Sequence, residues 1–134
     1  MDYYLAKTDP ETYSITDFAK DKVTPWSGVR NPSAVKALKS MKKGDRVLIY
    51  HSGQGTIVGL GEVFGNGRPD LKDDRSWLVD FKFLKQLPEP YVDLKTIKDS
   101  NLFNDFALVR QGRLSTMAVP NNFVAWLKKK GLNI

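Results

Sequence analysis

The chain has 134 residues, 41% hydrophobic and 27% charged, with no cysteine and a net charge of +6. That length suits one core-forming domain, residues 1–134, and the composition is that of a globular chain. The lack of cysteine excludes disulfides and thiolate chemistry. No apolar run approaches the ~20 residues that span a bilayer, and Met1-Asp2-Tyr3 lacks the basic start of a secretory signal, so a cytoplasmic (or, in a eukaryote, nuclear) protein without membrane association is expected.

In chain order, the apolar run 3–7 predicts a strand that stops at the turn Thr8-Asp9-Pro10. Ser14-Ile15-Thr16-Asp17 has the spacing of a capping box and predicts a short helix through Lys20. A loop carrying Pro25-Trp26-Ser27-Gly28-Val29-Arg30 follows. Asn31-Pro32 then opens a helix with Val35, Leu38 and Met41 at helical spacing, ending at Lys43-Gly44. Strands are predicted over 46–51 and 56–64, joined by the turn Ser52-Gly53-Gln54-Gly55. Gly59 and Gly61 inside the second strand imply a bulge, a bend or the close approach of a backbone or ligand. After a polar loop over 65–74, Trp77, Val79, Phe81 and Phe83 alternate with other residues, which marks a strand whose aromatics belong to the core. Asp93 caps a short helix through Lys98, 103–109 is hydrophobic without a clear period, 114–119 reads as a closing strand, and a last helix carries Phe123, Trp126 and Leu127 on one side. Irregularly alternating strands and helices argue against a doubly wound sheet and for an α+β fold on a bent or barrel-like mixed sheet with flanking helices.

Charge is distributed unevenly. Lys36, Lys39, Lys42, Lys43 and Arg46 surround one acid, Asp45, and from Phe106 onward there are five cations and no acid. Such surfaces suit a polyanion, although a solvated face has the same composition. Trp26 offers a stacking face, Arg30 a planar fork of donors and Asn31 both a donor and an acceptor, the parts that hold a flat hydrogen-bonding ring. The plainer reading makes Trp26 a core aromatic and Asn31 a helix cap. His51 is the only histidine and no cysteine accompanies it, so the ligands of a zinc site are missing, and Ser52 lacks the nucleophile-elbow context of a triad. Asp73-Asp74 are expected to be solvated acids rather than magnesium ligands. No metal and no cofactor are therefore expected.

Lys7-Thr8-Asp9-Pro10, Trp26-Ser27-Gly28-Val29-Arg30-Asn31, Tyr50-His51-Ser52 and Leu108-Val109-Arg110-Gln111-Gly112-Arg113-Leu114-Ser115 occur in that order. With them the chain resembles the EVE domain family of the PUA-like superfamily over nearly its whole length. Ser27 stands where that family usually has Asp, and Pro32 where it often has an aromatic. The resemblance implies a compact PUA-like barrel with helices around it, and a pocket for a base in nucleic acid, expected to be a modified one. EVE domains are similar to YTH domains, which hold methylated adenine in an aromatic cage. Carried over by position, the resemblance makes Trp26 a pocket wall, Lys7 and Thr8 its lining, and Asn31 the reader of a base edge. It makes Tyr50, His51 and Ser52 the far side of the pocket, and Arg30, Arg110 and Arg113 contacts to phosphate or to the frame. The function expected is a non-enzymatic, monomeric module that captures a base of DNA or RNA. The rival readings are an enzyme acting on a nucleotide or modified base through His51, and a small-ligand or protein-interaction module.

Overall fold

The computed structural model describes residues 1–134. The apolar centre of the sequence becomes two long central strands, β3 (Arg46–His51) and β4 (Thr56–Val63), joined by the predicted glycine turn. β3 pairs in parallel with β1 (Tyr3–Thr8), register Tyr3↔Arg46 to Thr8↔His51. β4 pairs antiparallel with β6 (Trp77–Gln86), and β6 with β2 (Val23–Trp26). β8 (Thr116–Ala118) closes the other edge against β1, giving the order β2-β6-β4-β3-β1-β8. Two-residue strands β5 (Arg68–Pro69) and β7 (Val92–Asp93) add to β6 and β4. The sheet curls into a half-barrel of α+β class, with helices α1 (Ile15–Asp21), α2 (Pro32–Ser40), α3 (Leu94–Asp99), α4 (Ala107–Arg110) and α5 (Asn121–Lys129) around it. No helix is long and apolar enough to cross a membrane.

Local signals in the sequence explain most boundaries. The capping box forms in full: Ser14 Oγ accepts from the Asp17 amide (3.2 Å) and Asp17 Oδ2 from the Ser14 amide (2.9 Å). Asp93 accepts from the Thr96 amide (2.8 Å) at the start of α3. α2 ends at Ser40, earlier than Gly44. There Ser40 Oγ turns back to the Lys36 carbonyl (2.9 Å), and buried Asp45 takes the Lys42 amide (2.9 Å) and the Asp2 amide (3.0 Å). The lone acid of that basic stretch thus organises a turn.

Three expectations change. Trp26 ends a strand instead of lying in a loop, and Pro25 is tolerated there because β2 is an edge strand with a free side. The region 103–109 resolves into a turn and α4, with Phe103 and Phe106 packed on Phe123 at ring separations of 5.0 and 4.8 Å. On β6 only Val79 and Phe81 are fully buried. Trp77 and Phe83 are partly exposed, with Lys39 Nζ set 5.0 Å over the Trp77 ring.

The glycines of β4 receive α1. A Cβ on Gly59 would fall 2.2 Å from Ile15 Cδ1, and one on Gly61 would press on Phe18 at 3.2 Å. Gly59→Ala is therefore expected to lower unfolding stability by about 1–3 kcal/mol through overpacking. Urea denaturation checks this, and a Gly59→Ala midpoint equal to the parent would show that Ile15 moves aside freely.

Candidate functional site

The ends of β1 and β2 border one cleft of about 400 Å³, within the range of small-molecule sites. Lys7 and Thr8 come from β1, Trp26 from β2, and Ser27, Gly28 and Val29 from the segment that follows. Tyr13 and Thr12, on the turn before α1, form another wall, and Ser115 enters from beside β8. Gly28 has φ +78°, a left-handed conformation that a side chain would strain, so it turns the chain sharply at the rim.

Trp26 serves two purposes. Its ring lies 5.1 Å from Phe81 at 30°, and edge-on to Tyr13 (6.1 Å, 79°) and Phe18 (6.2 Å, 62°), leaving 7% of its surface exposed. Trp26 is thus a core aromatic that also borders the cleft with the small part that the core leaves free.

Tyr13 was not singled out by sequence, yet its ring is the wall that meets Trp26 at a right angle. Its carbonyl accepts from Thr8 Oγ1 (2.7 Å) and its hydroxyl donates to Asp21 Oδ2 (2.7 Å). Burial pushes its phenol up to about 12; the Asp21 carboxylate adds to the rise and the Thr24 hydroxyl opposes it. The only sequence signal was its place between a turn and a capping box, which marks where chain direction changes but not what the ring meets.

Lys7 is the cation of the cleft. Its Nζ donates to the Gly112 carbonyl (3.0 Å) and stands 5.5 Å over the Tyr50 ring, with no acid paired to it. Burial pushes its ammonium below the usual lysine range. With the Lys7 amide bonded to Ser115 (2.8 Å), this side chain latches the loop between α4 and β8 to the cleft. Arg110 ends α4 and Arg113 lies within that loop; both are exposed, Arg110 3.7 Å from Asp105 and Arg113 without an acidic partner.

The structure does not bring the other expected residues to the cleft. Asn31 is an N-cap: its Oδ1 accepts from the Ser33 amide (2.8 Å) and the Ala34 amide (3.3 Å), so its acceptor is committed to α2. Tyr50 lies buried beneath Lys7. Ser52 Oγ braces the Thr8 carbonyl at 3.3 Å. His51 is buried; its Nε2 accepts from the Ile15 amide (3.0 Å), which puts the ring proton on Nδ1, 3.2 Å from Gln54 Oε1. Both nitrogens are used and neither faces the cleft, so the proton carrier of the enzymatic reading is a structural clamp. Arg30 pairs with Asp73, whose carboxyl is held below the ordinary range by the Arg75 amide and by the Arg30 guanidinium. No group of three or more His, Asp or Glu side chains converges as a metal site would require.

The chain is similar to known proteins in sequence and fold. The model of the EVE domain family matches residues 2–130. Mouse thymocyte nuclear protein 1 is 33% identical over 125 residues, covering 70% of this chain and 55% of that protein, so the chain spans about half the length of the curated relatives it matches. A protein from Agrobacterium tumefaciens superposes with a TM-score of 0.88 at 31% identity, over 98% of this chain and 93% of the other. Human THYN1, solved in complex with 5-methylcytosine-containing DNA, superposes with a TM-score of 0.82 at 22% identity, over 95% of this chain and 97% of the other.

Two outcomes follow from the geometry. His51→Ala leaves the buried Ile15 amide without an acceptor and is expected to cost about 1–3 kcal/mol of stability in a denaturant titration. Unchanged stability would mean that the clamp is dispensable. For Tyr13, the folded pKa of about 12 lies above the ordinary phenol value of 10.0. The stabilisation is complete below pH 10 and is lost as pH rises toward 12. Tyr13→Phe should flatten that alkaline decline in thermal midpoint; an identical decline in both proteins would place the titration elsewhere.

Proposed function

The chain belongs to the EVE domain family, and on that premise we propose that it is a monomeric, non-enzymatic reader of a modified base in nucleic acid, with 5-methylcytosine in DNA as the first ligand to test. The observation that carries this reading is the cleft itself: two aromatic walls at right angles, a rim of hydroxyls and one unpaired, partly desolvated cation. A base swung out of its strand needs a π-surface and a few polar groups aimed at its edge, and these residues provide both. Tyr13 supplies most of the free ring surface, Trp26 the back wall, Thr8 the nearby hydroxyl, and Lys7 a donor for a ring carbonyl or nitrogen. The human relative bound to 5-methylcytosine-containing DNA supports the choice of ligand. Outside the cleft, Lys36, Lys39, Lys42 and Lys43, on and just after the helix that follows the Trp26 segment, offer charge to the phosphates, as do Arg110 and Arg113, which flank the Gly112 held by Lys7. Asn31 has no part in base reading in this proposal, since its carbonyl oxygen is spent on the helix.

Trp26→Ala would test the site poorly, because removing a core aromatic costs about 3–5 kcal/mol of stability. Thr12→Trp is the cleaner variant: Thr12 is exposed, lines the cleft and touches none of its braces. Fluorescence anisotropy with oligonucleotides carrying cytosine or 5-methylcytosine should show a preference of about fourfold for the methyl group, the value of one buried methylene. Thr12→Trp should abolish that preference and leave weak binding that falls with salt. Equal affinity of the parent for both oligonucleotides, or a preference that survives Thr12→Trp, would end the proposal.

A further inference from the structure

Leu71 is 98% exposed, more than any other large hydrophobic residue of the chain, and it stands on the loop between β5 and β6. Single apolar residues at a surface are ordinary. What distinguishes this one is how firmly its loop is braced and where the loop stands. Asp70 Oδ1 accepts from the Lys72 amide (2.9 Å) and the Asp70 carbonyl from the Asp73 amide (3.2 Å). Asp73 Oδ1 takes the Arg75 amide (3.0 Å), and the Asp73 carbonyl takes the Ser76 amide (3.0 Å). The Asp70 amide closes the loop on the Ser76 carbonyl (3.4 Å). The remaining oxygen of Asp73 holds Arg30, which ties the loop to the segment that carries Trp26.

The loop also has a defined neighbour. A second cleft, of about 660 Å³, has Leu71, Pro69 and Leu78 on one side and Pro25, Ser27 and Gly28 on the other. The last three residues also wall the base cleft. Leu71 therefore lines a cleft that shares the 25–28 stretch as a common wall with the first. Charge separates the roles of the two surfaces. Residues 68–75 contain Arg68, Lys72 and Arg75 against Asp70, Asp73 and Asp74, three of each sign and no net charge. A neutral loop with an apolar tip does not suit contact along phosphates, a task that fits the lysines at and beyond α2. It suits the interior of a base stack.

We propose that Leu71 is a wedge that enters the base stack of duplex DNA beside the captured base and fills the gap its extrusion leaves. The inference rests on the base-reader reading above. A base that leaves a duplex exposes the faces of its neighbours and orphans its partner, and an apolar side chain inserted between the steps covers those faces. A single strand leaves no such gap, so the wedge sets the preference for duplex over single strand.

The test compares the parent protein with Leu71→Ala, whose exposed side chain can be removed without disturbing the fold, as an unchanged thermal midpoint verifies. Anisotropy is read on duplex and single-stranded DNA carrying 5-methylcytosine, with 2-aminopurine beside the modified base. Leu71→Ala is expected to lose about tenfold in duplex affinity, to stay within about twofold on the single strand, and to show less 2-aminopurine fluorescence in the duplex. Duplex affinity unchanged by Leu71→Ala, or equal losses on both forms, would overturn the wedge while the parent's methyl preference on the single strand still upholds the base reader. A parent protein without methyl preference on either form would remove the base reader and the wedge together.

Discussion

The seat of α1 on β4 is the constraint on which the rest of the structure depends. Gly59 and Gly61 leave room on the strand for Ile15 and Phe18, and the Ile15 amide is fixed by His51 at the end of β3. A helix can lie this close to a sheet only where the strand has no side chains to hold it off. Once α1 is down, Phe18 meets Trp26 and Phe83, and the turn before the helix places Tyr13 across from Trp26. The cleft is thus a by-product of helix packing. Its two aromatic walls come from segments thirteen residues apart in the chain (13 and 26), brought to a right angle by a contact neither of them makes.

The electrostatics follow the same division between frame and site. Most acids are spent locally: Asp45 on two amides, Asp17 and Asp93 on helix starts, Asp73 on two arginines, Asp80 on Arg68. Carboxylates accepting backbone N–H groups are well used there, since each satisfies a donor that would otherwise be orphaned. What remains without an acidic partner is mostly positive, and one of those cations, Lys7, lines the cleft. Burial disfavours the Lys7 ammonium and lowers its pKa, so an acceptor brought by a ligand restores part of what water no longer provides.

Several local features could be read from sequence because they act over a few residues. The Ser14–Asp17 box, the Asn31-Pro32 helix start, the Asp93 cap and the glycine turn after His51 all formed where the residue types demanded. Family motifs located Lys7, Thr8 and Trp26, which do border the cleft. The same motifs also carry Asn31, Tyr50, His51 and Ser52, which hold the frame; a motif records which residues recur, without separating those that touch a ligand from those that support the ones that do.

By itself the sequence determined the α+β class, the curled sheet and the positions of most elements, because propensity, capping and alternation are set by neighbours in the chain. The tertiary structure decided the rest. It set Tyr13 across from Trp26, committed both nitrogens of His51 to the frame, gave Trp26 mostly to the core, and put Leu71 on a braced loop across a second cleft from the 25–28 stretch. Each of those outcomes depends on a partner from another element, such as Trp26 for Tyr13 and Arg30 for the loop of Leu71. Such partners meet only after the sheet has curled and α1 has settled on its glycines.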